Sequence, residues 1–194
     1  QRVAEASGAQ VINGDRMWHY TEGLQNWDPI WPNHGIRILP GPSSMWFDAL
    51  GDRMEAPYMP GFDTLGTLKR ILSTGHEHSW FILTQKIIEK EFALSGSEQN
   101  PDLESGKWSE VLRRRLLTKG APAPVEAFKE HGEDFLVADD LETLVGKMNA
   151  LVPQTPLDAG HIRAQIEARD IQLTNPFAKD AQITAIRGAR AFRG

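Results

Sequence analysis

His19 and Tyr20 are adjacent, and their side chains are the pair in this sequence best suited to moving a proton. An imidazole changes its charge near neutral pH, and a phenol can give or accept a proton through its hydroxyl. The alternative is a packed loop that holds the same two side chains by hydrogen bonds, and it stays open at this point. We take His19 and Tyr20 as the candidate catalytic residues.

Tryptophan and proline are concentrated around this pair. Four of the six tryptophans lie between residues 17 and 54, together with four prolines. Proline fixes its own backbone and restricts the residue before it, so this segment is predicted to form a rigid, shaped loop surface. Trp27 and Trp31 flank Asp28 and Pro29, and they are the candidate substrate-binding residues because flat indole rings can wall an apolar cavity. Packing inside the protein explains them equally well.

Other chemistry-bearing motifs predict no site. His76 and His78 form a His-x-His pair, but no third ligand accompanies them, so no metal is predicted. Arg113, Arg114 and Arg115 would point in different directions on a helix, and we expect a solvated face there rather than a phosphate clamp. The sequence contains neither a G-x-G-x-x-G turn nor a Walker-type turn, the two motifs that cradle nucleotide phosphates.

Composition narrows the classes of function. The chain has 194 residues, a formal net charge of −5 and no cysteine. Negative charge argues against nucleic-acid binding, which needs Lys and Arg against phosphates. Without cysteine there are no disulfides, no thiol nucleophile and no Cys-based zinc site. No apolar run reaches the roughly 20 residues of a membrane-spanning helix. We predict no nucleic-acid partner, no membrane span and a cytoplasmic location.

Short strands and irregularly ordered helices are predicted along the chain. The apolar patterns predict strands at 9–13, 35–39, 45–48, 79–83 and 135–138. They predict helices at 2–7, 64–73, 85–94, 109–117, 122–132, 158–173 and 181–192, and a further helix after Asp139 that includes residues 141–148. Three of these helices have predicted N-terminal caps, which are Asp63 or Thr64 for the first, Asp139 for the second and Asp158 for the third. This order of elements favours an α+β fold over a doubly wound parallel sheet.

Six stretches of the chain resemble one family of flavoproteins. Three of them read DRMWHYTEGLQNWDPIWP, HGIRILPGPSSMWFDALGDR and NPFAKDAQITAIRGAR. The full set covers residues 15–32, 34–53, 60–71, 79–102, 126–145 and 175–190. These stretches resemble the FAD-dependent dehydrogenases related to fumarate reductase flavoproteins and 3-ketosteroid 1-dehydrogenases. The resemblance extends over nearly the whole chain.

The resemblance implies an FAD-dependent oxidoreductase that acts on a carbon–carbon bond next to a carbonyl, with a protein group moving a proton on the adjacent carbon. It implies that residues 1–14 are a remnant of the FAD-binding domain, 15–180 the substrate-capping domain, and 181–194 a return segment. FAD is expected in the full-length protein and not on this segment alone. The implied partners are the FAD-binding domain of the same polypeptide and a hydrophobic, carbonyl-containing small molecule, and exposed apolar surface would favour self-association.

One stretch departs from the family pattern. Fumarate reductases carry a proton-donating arginine that should fall within residues 61–67, where this chain reads GFDTLGT. Arg70 comes one helical turn later. The departure argues against fumarate or succinate chemistry. The rival function is a stand-alone, non-catalytic binding or interaction module.

Overall fold

The chain is described by a computed structural model for residues 2–14, 16, 19–96, 99–100 and 120–192, without the side chains of Ala189 and Phe192. Trp18 and the predicted helix at 109–117, with its three arginines, lie outside these residues. The elements in chain order are α1 (Arg2–Ala6), β1 (Gly23–Gln25), β2 (Gly35–Leu39), β3 (Met45–Asp48), α2 (Thr64–Leu72), β4 (Ser79–Ile82), α3 (Gln85–Glu91), β5 (Ala93–Leu94), α4 (Ala123–His131), α5 (Leu141–Leu151), α6 (Ala159–Leu173) and α7 (Ala181–Phe192). This mixture of helices and small sheets is an α+β fold, as predicted.

Two small antiparallel sheets organise the described chain. The first has the strand order β1–β2–β5, and in it Gly23 lies opposite Arg37 and Ile38 opposite Leu94. The second pairs β3 with β4, and Phe47 lies opposite Trp80. Every strand pairing among the described residues is antiparallel. Parallel pairing needs long crossover connections, and the described residues show none.

Each sheet buries one face against helices. The first sheet packs on α4, where Ile36, Ile38 and Phe128 belong to one apolar cluster. The second sheet packs on α5 and α6, where Phe47 and Ile162 belong to another cluster and are fully buried.

Side-chain caps fix the starts of three helices. The carboxylate of Asp63 accepts the backbone N–H of Gly66, and that of Asp158 accepts the N–H of His161, as predicted. The prediction of Asp139 as the cap of α5 is wrong. Asp140, in extended conformation just before the first helical residue, accepts the N–H of Thr143 at 2.7 Å. Only that position lets a short carboxylate reach the third amide of the helix.

Three predicted elements differ in the structure. The segments 9–13 and 135–138 form no strand, because no described strand lies beside them to share hydrogen bonds. The predicted helix at 85–94 ends at Glu91, since Phe92 turns extended and leads into β5. Strand β1 was not predicted, because three residues are too few to show the alternation of apolar and polar side chains that indicates a strand.

The turn between β3 and Arg53 is fixed by buried polar contacts. Asp48 is 2% exposed, and its Oδ1 accepts the N–H groups of Leu50 and Asp52 at 2.9 and 3.0 Å. Its Oδ2 accepts from the Arg70 guanidinium at 2.9 Å. Gly51 has φ +87°, which favours glycine over any other residue. Residues 48–51 therefore form a turn.

Long-range contacts hold the far side of the same turn. The Arg53 guanidinium bonds both carboxylate oxygens of Asp180, at 2.7 and 3.1 Å, and also Oε1 of Gln182. The backbone N–H of Arg53 donates to Oε1 of Gln165. The turn is therefore anchored to both C-terminal helices, and Asp180 of the NPFAKDAQ stretch has a structural role that its sequence alone did not reveal.

Candidate functional site

Two cavities lie on either side of the segment that precedes β1. His19, Tyr20 and Thr21 line the larger cavity, which has a volume of about 850 Å³. Glu22, the next residue, lines the smaller one, of about 320 Å³. Ile38 of β2 contributes to both walls. Both volumes fall within the range of small-molecule sites.

The larger cavity is mainly apolar and contains a few unpaired polar atoms. Its apolar walls come from both sheets, α2 and α5, and include Leu24, Leu68, Phe81, Phe135, Leu144 and Met148. Three of its lining side chains carry a buried polar atom without a hydrogen-bond partner: Thr21 Oγ1, Trp80 Nε1 and Asp134 Oδ1. An apolar cavity with a few convergent polar groups is the usual form of a ligand site.

The structure brings the two candidate catalytic residues together at this cavity. Nε2 of His19 lies 3.0 Å from the carbonyl oxygen of Thr64, and in the tautomer that carries hydrogen on Nε2 it donates to that oxygen. Tyr20 is 45% exposed, and its ring lies under the Arg37 guanidinium, whose Cζ is 3.6 Å from the ring centroid. Such a cation–π contact restricts how the phenol can turn.

The candidate substrate-binding tryptophans lie elsewhere. The Trp27 ring packs against His131, with centroids 4.8 Å apart. Trp31 stacks on His34 at 3.7 Å and lines a third, shallow pocket. Both indoles are exposed, and neither lines the larger or the smaller cavity. Their role in substrate binding stays a prediction, and the structure does not place them beside His19 and Tyr20.

The smaller cavity contains charged groups that the sequence did not single out. Glu22 is 2% exposed; its Oε1 accepts the N–H of Gly61 at 2.8 Å, while its Oε2 has no partner. Nε of Arg37 is also buried without a partner. Tyr58 lines the same cavity. The sequence pattern could have indicated Arg37, because it lies between Ile36 and Ile38 on a strand and its side chain must point to the opposite face from theirs.

Burial shifts the proton equilibria of two groups in the larger cavity. It raises the pKa of the Asp134 carboxyl, although the Gln25 N–H donates to this carboxylate at 2.8 Å and opposes the shift. It lowers the pKa of His78, and the neighbouring His76 adds to this effect. Both shifts favour the uncharged form, as expected of a site poor in water.

Asp134→Asn is expected to stabilise the chain at neutral pH, because it removes a charge that burial disfavours. Burial raises the pKa of Asp134 in the folded state above the ordinary 3.8, so the carboxyl costs no stability at a pH where it is protonated in both the folded and the unfolded state. The loss of stability grows as pH rises from 3.8 through the pKa of the folded state, and it is constant above that. Urea unfolding at a series of pH values measures it, with the exposed Asp139→Asn as control. Destabilisation of the Asp134 variant at neutral pH would contradict this account.

Two further features are absent from the described residues. No group of three or more His, Asp or Glu side chains there is arranged to hold a metal ion, and Arg70 pairs with Asp48 and Glu55 rather than entering a cavity. Among the same residues, no helix combines the length and apolar character required to cross a bilayer.

Comparison with known proteins assigns the family. The family described as FAD binding domain matches residues 1–190, so this chain belongs to it. A KsdD-like steroid dehydrogenase of Mycolicibacterium smegmatis is 58% identical over 99% of the chain and 35% of its own length. KsdD-like steroid dehydrogenases of two Mycobacterium tuberculosis strains are 56% identical over 99% of the chain and 34% of their own length. The chain thus spans about a third of these relatives. No solved structure matches it significantly.

The described residues do not form the diphosphate cradle that the family name implies. Such a cradle needs a strand, a glycine-rich turn and a helix N-terminus within a parallel βαβ unit. All described strand pairs are antiparallel, and no G-x-G-x-x-G turn exists in the sequence. A site for the FAD diphosphate is therefore not found in the described part of this chain.

Proposed function

We propose that this chain is the substrate-capping part, residues 15–180, of an FAD-dependent dehydrogenase that acts on a carbon–carbon bond next to a ring carbonyl. Its flanking residues 1–14 and 181–194 would join an FAD-binding domain of the same polypeptide. The family and the steroid dehydrogenase relatives support the reaction class. Steroids and similar fused-ring ketones are the proposed substrates, and the cytoplasm is the proposed location.

The observation that carries this proposal is the larger cavity. Its volume of about 850 Å³ accommodates a rigid four-ring molecule, and its walls are mainly apolar. A ring ketone buries hydrocarbon over most of its surface and presents one or two carbonyl oxygens. The unpaired N–H of Trp80 and hydroxyl of Thr21 can each donate to such an oxygen.

The residues of this chain have three tasks in that proposal. The apolar walls hold the rings and exclude water, which strengthens every polar contact inside. Tyr20 and His19 lie at the cavity as groups able to carry the proton from the carbon beside the carbonyl. Arg37, in contact with the Tyr20 ring, keeps that phenol in position. Trp27 and Trp31 remain proposed contacts for a substrate that extends beyond the cavity.

The experiment is flavin reduction by substrate in the full-length protein. Mixed without oxygen with a saturated ring ketone of steroid size, the protein is expected to lose its visible flavin absorbance as the ketone gains a conjugated double bond. The matched secondary alcohol, which lacks the activating carbonyl, and succinate are the controls and should leave the flavin oxidised. If ring ketones bind without any change in flavin absorbance, the rival binding module is the better interpretation.

A further inference from the structure

The smaller cavity is lined by side chains whose polar groups are nearly all occupied. Arg53 is bound by Asp180 and Gln182, and the Gln182 amide also donates to the carbonyls of Pro42 and Ser44. Glu91 accepts both the N–H and the hydroxyl of Ser43. None of these groups needs a ligand. The buried side-chain atoms of this cavity that have no hydrogen-bond partner belong to two other residues.

Those residues are Glu22, which lacks a hydrogen-bond donor, and Arg37, which lacks an acceptor. The Glu22 carboxylate keeps one buried oxygen, Oε2, without a donor, and Arg37 keeps one buried N–H, at Nε, without an acceptor. A buried polar atom without a partner costs about 1–3 kcal/mol. Glu22 cannot turn away to relieve this, because its Oε1 is held by the N–H of Gly61 and the side chain is 2% exposed.

The remaining walls are flat and apolar. They are formed by Pro40, Trp46, Met54, Met59 and Pro60, and the exposed Leu39 and Phe62 stand at the rim. Phe62 is 69% exposed, so its ring is accessible at the rim. A cavity of about 320 Å³ with these walls fits a compact molecule of two or three fused rings, or the end of a longer one.

We propose that the smaller cavity is a binding site for a neutral, apolar ring compound that carries a hydroxyl group. A hydroxyl oxygen is both donor and acceptor, so one such group can meet the need of Glu22 Oε2 for a donor and that of Arg37 Nε for an acceptor. A ketone can only accept and leaves Glu22 unpaired. A charged ligand is disfavoured, because the carboxylate and the guanidinium already balance. This site is separate from the larger cavity and does not depend on the proposed function.

Binding to the full-length protein tests the proposal, measured by calorimetry without an electron acceptor and with the larger cavity already saturated by a steroid-sized ring ketone. The probes are a ring alcohol, the corresponding ketone and the corresponding hydrocarbon. The alcohol is expected to bind about tenfold or more tightly than the other two, because a site built around a hydroxyl discriminates against its analogues. Equal affinities of alcohol and ketone would overturn the proposal.

Glu22→Gln provides the sharpest variant. The amide oxygen must still accept the N–H of Gly61, so the NH₂ group takes the place of Oε2 and the cavity then presents two donors. The preference should invert, with the ketone now bound more tightly than the alcohol. Glu89→Gln, an exposed carboxylate away from both cavities, should keep the parent's preference. An unchanged preference in Glu22→Gln would contradict the assignment.

Two rim variants locate the site even if Glu22→Gln fails to fold. Phe62→Ala removes an exposed side chain at the smaller cavity and should weaken alcohol binding several-fold, whereas Leu72→Ala, at the rim of the larger cavity, should not. The reverse pattern would move the alcohol to the larger cavity and refute the proposal. Loss of flavin absorbance with ring ketones is measured separately, so the proposed dehydrogenase function and the proposed hydroxyl site can each fail independently of the other.

Discussion

Tyr20→Phe is expected to lower turnover of ring ketones by the full-length protein about a hundredfold or more, with FAD still bound. The substitution removes only the hydroxyl, and the loss of one general acid–base group typically costs 10²–10⁴-fold. The ring should stay in place, because its contact with the Arg37 guanidinium does not involve the oxygen. Steady-state kinetics and the flavin spectrum of the purified variant provide the measurement.

The second tyrosine supplies the matched comparison. The chain contains two tyrosines, and Tyr20 lines the larger cavity while Tyr58 lines the smaller one. If Tyr58→Phe loses turnover and Tyr20→Phe does not, the reaction belongs to the smaller cavity. His19→Ala is expected to slow turnover as Tyr20→Phe does or to weaken substrate binding. If both Tyr20→Phe and His19→Ala keep turnover within about twofold of the parent, His19 and Tyr20 have a structural role and not a catalytic one.

Asp48→Ala is expected to reduce the free energy of unfolding by about 1–3 kcal/mol, the usual cost of leaving hydrogen-bonding groups without their buried partner. The change leaves the N–H groups of Leu50 and Asp52 without their acceptor and removes the buried partner of Arg70. Urea unfolding of the chain measures the loss. Arg70 itself keeps a second partner, Glu55, so the effect isolates the buried side of the network.

Glu55→Ala is the control for that variant. Glu55 pairs with the same guanidinium at 3.0 Å, but its side chain is 55% exposed against 2% for Asp48. Exposed ion pairs contribute about 0–1 kcal/mol, so this variant should unfold within that margin of the parent. Similar losses for the two variants would mean that burial of Asp48 is not what gives the network its strength.

Local chemistry made several parts of the fold predictable. Asp63 and Asp158 cap their helices because a carboxylate at that position reaches amides only three residues along, which a single sequence reveals. The segments at 9–13 and 135–138 look like strands by composition, but a strand exists only where a partner lies beside it. Partners are set by distant parts of the chain, and for these two segments the described structure offers none.

The candidate site was predictable only in part, for a similar reason. His19 and Tyr20 attract notice by residue type alone, and they do share a cavity. The importance of Glu22 depends on Gly61, which occupies one of its oxygens from 39 residues away. No periodicity signals such a contact. The redox chemistry itself came from resemblance, because no residue in the described cavities is specific to flavin chemistry.

The anchoring of the turn after β3 also constrains when this region can finish folding on the ribosome. Arg53 meets Gln165 and Asp180, which lie 112 and 127 positions later in the chain. At a synthesis rate of about 5–20 residues per second, Asp180 is made roughly 6–25 seconds after Arg53. During that interval the β3–β4 pair, with Trp46 and Phe47, must persist without its final anchors. The nascent chain thus carries an apolar strand pair without its final contacts, which is the kind of surface that chaperones bind.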